Sequence, residues 1–199
     1  MGGTIILAGD VGGTKTYLAT YQPQDSGFEP LFETRYTTRD YADTSALLAA
    51  FIEESGHAPQ RIVLGVPGPV RQLPVRAVNL PWMIDPEQIK RSLGIDEVHL
   101  LNDLQATSYG TRALREDDLY TLNAGEPDAE GNVAVIAAGT GLGEGGLVWT
   151  GQRHVSIASE GGHSTFSPSG DIEIELARYL SRQFDHVSWE RVVSGPGLA

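Results

Sequence analysis

The sequence predicts an α/β protein of two domains, and three observations carry that prediction. Apolar runs of strand period alternate with amphipathic runs of helix period along the chain. A strand, glycine turn, strand pattern occurs twice, as LAGDVGGTKTYLATY at 7–21 and VIAAGTGLGEGGLVWT at 135–150, about 130 residues apart. The 199 residues, 40% of them hydrophobic, suffice for one large core or two small ones.

The first half reads as strands at 4–9 (TIILAG), 15–21 (KTYLATY), 31–37 (LFETRYT), 61–66 (RIVLGV) and 97–101 (EVHLL), each rich in β-branched or aromatic residues and bounded by turn formers. Between them, DTSALLAAFIEES puts Leu47, Leu48, Phe51 and Ile52 on one helical face. DPEQIKRSLG carries a full set of helix signals, with Asp85 as N-cap, Pro86 at N1, Gln88 at N3 and Gly94 as the stop. From 132 the β pattern returns in NVAVIAAG, GGLVWT and RHVSIAS. DIEIELARYLSRQF then predicts a helix with Ile172, Leu176, Tyr179, Leu180 and Phe184 facing inward. A short helix over 188–193 carries Glu190, and SGPGL marks a turn. The expected domains are 1–112 and 113–199, the second incomplete.

Composition closes off several function classes. Fourteen basic against 26 acidic residues give a net charge of −12, which disfavours nucleic acid and anionic membranes as partners. The absence of cysteine removes disulfides and thiolate zinc sites. The opening MGGTIILAGD has no basic n-region, and no apolar run is long enough to span a bilayer, so the expected location is the cytoplasm. An anionic ligand then needs a local cradle and a metal ion.

Glycine turns can supply such a cradle, because successive glycines reach positive φ and aim several N–H groups at one point. Either turn is equally compatible with an ordinary hairpin that needs glycine only for its backbone angles. The P-loop pattern is absent, and GLGEGG at 141–146 matches G-x-G-x-x-G but is followed by a strand-like run where a dinucleotide fold needs a helix.

Two further stretches hold polar groups in informative places. LLNDLQATSYG ends an apolar strand at Asn102 and Asp103 immediately before a helix-compatible segment, which puts a carboxylate where α/β ligand sites gather. Asp103 is also a natural N-cap, and a helix N-terminus favours negative charge in either role. SEGGHSTFSP supplies Glu160 and His163 around two glycines; with no second histidine at ligand spacing, hydroxyl recognition suits the pair better than a transition metal. A tight turn with two solvated polar residues fits the same stretch.

Taken together, GDVGGT (9–14), VPGP (66–69), NLPW (79–82), LND (101–103), AAGTGLG (137–143), EGGH (160–163) and VSWERVVSGPGL (187–198) resemble the bacterial glucokinases, in that family's order and over essentially the whole chain. The resemblance implies the ribonuclease-H-like fold of the sugar kinase, Hsp70 and actin superfamily, two α/β domains closing at a hinge cleft, and ATP-dependent phosphorylation of glucose to glucose 6-phosphate. It implies a first phosphate loop of Gly9, Asp10, Val11, Gly12, Gly13 and Thr14, with Asp10 oriented toward Mg²⁺ through water. Thr140, Gly141 and Gly143 become the second phosphate loop. Asp103 becomes the general base on the sugar's primary hydroxyl, and Asn102, Glu160, His163 and Glu190 hold the other hydroxyls. Glucose and ATP are the implied partners, and a homodimer the implied oligomer.

Two departures stand out. Lys15 follows GGT where this group commonly has asparagine. The chain also ends at SGPGLA, where family members continue, so a fragment, or a sugar-binding or regulatory relative without turnover, is the alternative expectation.

Overall fold

The computed structural model describes residues 3–25, 27–76, 80, 82–126, 130–157 and 159–199. Asn79 and Pro81 of the NLPW motif, and Ala158 of RHVSIAS, lie outside the described residues. The chain divides into two compact units, Met1–Ala106 and Thr107–Ala199.

The first unit is built on a five-stranded sheet of order β3-β2-β1-β4-β5. Its strands are β1 (Ile6–Val11), β2 (Lys15–Gln24), β3 (Gly27–Thr37), β4 (Arg61–Val66) and β5 (Glu97–Asn102). The first three strands form an antiparallel meander, while β1, β4 and β5 run parallel. That parallel run brings the carboxyl ends of β1, β4 and β5 to one edge, with Asp10 beside Gly65 and Val66 beside Asn102.

Helices α1 (Thr44–Ser55) and α2 (Pro86–Leu93) form where their termini are marked. Asp43 accepts the Ala46 amide at 2.8 Å and Asp85 the Glu87 amide at 2.9 Å, while Gly56 and Gly94 end the helices in the left-handed region. Gln88 reaches sideways to Asp43 Oδ2 at 3.1 Å, so the cap of α1 also anchors α2. Leu47, Leu48 and Phe51 of α1 and Ile89 of α2 join Leu7, Leu18, Ile62 and Leu64 of the sheet in one buried core. Each such side chain contributes roughly 1.5–3 kcal/mol by burial.

The second unit has a smaller frame. Strands β6 (Val133–Ala138), β7 (Leu142–Trp149) and β8 (His154–Ile157) form an antiparallel sheet with β7 in the centre. The start of β7 lies several residues earlier than the GGLVWT run suggests, so the whole GLGEGG match runs into a strand. No helix follows it, which removes the dinucleotide alternative at that site. Between the units, α3 (Asp103–Gly110) crosses the dividing line; after β8 come α4 (Asp171–Leu180), α5 (Trp189–Val193) and α6 (Gly195–Leu198).

Two expectations fail here. The SGPGL turn is a helical turn, α6, with Ser194 Oγ accepting the Gly197 amide at 3.2 Å. The inward face assigned to α4 is not buried: Ile172 is 84% exposed and Tyr179 59%, Leu176 is exposed too, and Leu180 and Phe184 are half-buried. Apolar spacing defines a face, but burial needs an opposing element, and none among the described residues covers this one.

Candidate active site

The β1–β2 turn is a hairpin closed by the Gly12 amide donating to Lys15 O at 3.0 Å. Glycine is required here by close approach. A Cβ on Gly12 would stand 2.7 Å from Lys15 O, and one on Gly9 would stand 2.5 Å from Leu18 Cδ2 and 2.8 Å from Leu64 Cδ2. None of the glycines of either turn is among the positive-φ positions, so left-handed backbone is not what these turns use. Val11 is buried in the core, which leaves only its backbone for a ligand. Because the Gly12 amide is engaged, the amides of Gly13 and Thr14 are the ones without a protein partner among the described residues. Lys15 is exposed at the start of β2.

The turn rests on a residue that no motif pointed to. Thr38, fully buried just past β3, donates from Oγ1 to Gly12 O at 2.7 Å and from its amide to Thr14 O at 3.0 Å. Its hydroxyl hydrogen is thereby committed, so the 2.9 Å contact with the buried Thr16 hydroxyl has Thr16 as donor. The chain of bonds runs from Thr16 to Thr38 to the carbonyl of Gly12. The alternation of β3 gave no reason to single out Thr38, because its partner is 26 residues away in sequence.

At the carboxyl edge of the parallel strands, Asn102 takes the capping role that Asp103 also suited. Asn102 Oδ1 accepts the Leu104 amide at 3.1 Å, and Asp103 is the first helical residue of α3. Asp103 Oδ1 accepts from Asn102 Nδ2 and from the Leu104 amide, both at 2.8 Å. Asn102 Nδ2 also donates to Gly68 O at 3.2 Å, which ties the VPGP loop to LND. Gly68 sits at φ 102°, where a side chain would be strained. Asp10 lies near the carboxyl end of β1, with β4 between it and β5. Loss of hydration raises its carboxyl pKa above the ordinary range although it keeps solvent access, and the negative charge of Asp103 raises it further. Two carboxylates that repel each other suit a hard divalent cation, and Mg²⁺ asks for only one or two protein carboxylates beside phosphate and water. No group of three or more candidate ligands exists among the described residues.

The second cluster lies entirely within the second unit. Thr140 is exposed at the tip of the β6–β7 turn, Gly141 closes the turn by accepting the Gly139 amide at 2.8 Å, and Gly143 already belongs to β7, paired with Ala137. Glu190 Oε2 accepts the Leu142 amide at 3.0 Å, and its Oε1 stands 3.8 Å from His163 Nδ1. Glu160 Oε2 lies 4.0 Å from His163 Nε2. Glu160, His163 and Glu190 therefore converge, and the EGGH loop touches the turn directly, since a Cβ on Gly162 would meet the Leu142 carbonyl. The backbone of His163 accepts from His186 Nε2 at 2.9 Å, which makes that nitrogen the protonated one. His163 and Glu190 open onto a cleft of about 430 Å³, with Gln183, Phe184, Asp185 and His186 among its other walls. His186 is a wall residue that carried no motif signal.

Comparison with known proteins gives a consistent result. The family model described as Glucokinase matches residues 7–199. A glucokinase of Nostoc punctiforme is 37% identical over 199 residues, covering 98% of this chain. The chain spans 58% of that relative's length. The crystal structure of a glucokinase from an Antarctic psychrotroph superposes with a TM-score of 0.90 at 30% identity, covering 98% of this chain and 62% of that one. A ROK family glucokinase from Streptomyces griseus, solved with glucose and AMPPNP, shares the fold at a TM-score of 0.59 and 24% identity, over 99% of this chain and 59% of its own.

Proposed function

Because the chain belongs to the glucokinase family, we propose that it transfers the γ-phosphoryl group of ATP to the primary hydroxyl of glucose, yielding glucose 6-phosphate. The observation that carries this function is the setting of Asp103, a carboxylate at the carboxyl end of β5 with Oδ1 held by Asn102 and the Leu104 amide, beside Asp10. Oδ2 has no hydrogen-bond partner among the described residues and is the oxygen that takes the hydroxyl proton as the sugar oxygen attacks phosphorus.

The remaining residues align and stabilise, which is most of what a loose phosphoryl-transfer transition state requires. The amides of Gly13 and Thr14 and the Thr14 hydroxyl face one set of phosphate oxygens; Thr140, Gly141 and Gly143 form the second loop. Asn102, Glu160, His163 and Glu190 orient the other hydroxyls of the sugar. Asp10 would be the residue toward magnesium, and the cation would supply charge neutralisation on the phosphates. Residues 1–112 thus carry the first loop and the base, and 113–199 the second loop and the sugar loop. A cytoplasmic location and a homodimer belong to the same proposal; no described helix is long and apolar enough to cross a membrane.

The test is a coupled assay with glucose, ATP and Mg²⁺, together with Asp103→Ala. Loss of a general base lowers kcat by about 10²–10⁴-fold, while calorimetry still detects glucose. Near-normal turnover in that variant removes Asp103 from the mechanism. The alternative, sugar binding without turnover, predicts glucose binding by the unmodified chain that nucleotide leaves unchanged.

A further inference from the structure

Glu190 does two things that a residue serving only a sugar hydroxyl need not do. One carboxylate oxygen accepts the Leu142 amide at 3.0 Å, and the other faces His163 Nδ1 at 3.8 Å on the side of the cleft. The Glu190 side chain is 25% exposed, enough to meet a ligand, whereas Leu142 is buried. Without Glu190, that amide is left in a site with little access to water.

The adjoining residue leaves room for the contact. A Cβ on Gly141 would stand 2.6 Å from Glu190 Oε2, so the turn carries glycine at the point where the carboxylate approaches. The same chain segment holds the other end of the turn: the Gly195 amide, at the start of α6, donates to Gly139 O at 2.7 Å. The α5–α6 corner therefore grips the β6–β7 turn at both ends, once through backbone and once through the Glu190 carboxylate.

We infer that Glu190 is a positioning residue that couples occupation of the sugar site to the backbone of the second glycine turn. A hydroxyl donated to Oε1 fixes the plane of the carboxylate, and a fixed plane fixes Oε2 against the Leu142 amide. Sugar binding then firms the turn assigned to the nucleotide phosphates before nucleotide arrives. The coupling rests on the sugar role proposed for Glu190 above.

Amide hydrogen exchange at Leu142 tests this on the chain itself, without nucleotide or turnover. Glu190→Ala is expected to speed exchange at Leu142 about tenfold or more, the effect of losing a bond to a charged acceptor. Ladder amides such as Leu147 should stay as protected as before. Glu190→Gln, which keeps a carbonyl acceptor, restores most of the protection. Saturating glucose should slow Leu142 exchange further in the unmodified chain. Unchanged exchange at Leu142 in Glu190→Ala overturns the positioning contact. Glucose bound by calorimetry with Leu142 exchange unaltered overturns the coupling and leaves the proposed function standing. Glucose that does not bind at all withdraws the proposed function, and the coupling with it.

Discussion

The β1–β2 turn and the β6–β7 turn share a strand, glycine, strand pattern, yet one is held from beneath by buried threonine hydroxyls and the other from the side by a half-buried carboxylate. Thr16 and Thr38 are both fully buried and bond in series to Gly12 O, inside a unit whose sheet is packed under two helices. Glu190 reaches the second turn from an open cleft, in a unit where β6 is largely exposed and Leu147 and Phe166 are among the few buried large side chains. The first turn is fixed before any ligand arrives. The second is held by a carboxylate on the side of an open cleft, so the same local motif has a buried support in one place and a partly exposed one in the other.

The largest effect that sharpens this comparison is in the packing. Phe51→Ala should cost about 3–5 kcal/mol by emptying the centre of the first core, whereas Leu176→Ala on the uncovered face of α4 should change stability by no more than about 0.5 kcal/mol. Chemical denaturation of each variant measures both, and equal costs would erase the contrast between the units.

A smaller effect concerns the floor of the first turn. Thr38→Val keeps the shape but leaves Gly12 O and the Thr16 hydroxyl without their partner, a loss of about 1–3 kcal/mol. Thr38→Ser, which retains the hydroxyl, should recover most of it. If valine costs nothing in denaturation, the first turn does not depend on this chain of hydroxyls.

The smallest expected effect is electrostatic. Burial first, and the Asp103 charge second, hold the Asp10 pKa above its ordinary value, so the folded state binds this proton more readily than the unfolded chain. The contribution of Asp10 to stability is therefore fully present below the ordinary aspartate range and is lost as pH rises through the raised pKa. Asp10→Asn, which stays neutral, should raise Tm slightly at neutral pH, and the gain should vanish in acid. A gain that persisted at low pH would mean that charge is not its cause.

Much of the first unit was legible from sequence because its signals are local. Asp85, Pro86 and Gly94 act on amides and dihedrals within their own helix, and RIVLGV is a strand with the bounds its composition suggests. The candidate site residues were legible through motifs and family resemblance, while the convergence of Glu160, His163 and Glu190 is a matter of three-dimensional placement. Thr38 and His186 escaped because a hydroxyl or imidazole that supports a distant backbone carbonyl leaves no periodicity behind. The inward face expected for α4 differs for the opposite reason, since its periodicity is real but no element among the described residues covers it.

By itself, the sequence determined the order and type of most elements, the bounds of β4 and α2, and which carboxylates follow strand ends, because these depend on neighbours a few residues away. Tertiary structure decided what each group answers to. Asn102 rather than Asp103 caps α3, close approach of backbone rather than a left-handed conformation demands Gly12, and Glu190 holds an amide 48 residues away. Contacts of that kind arise when remote segments meet, and only the packed chain specifies which segments those are.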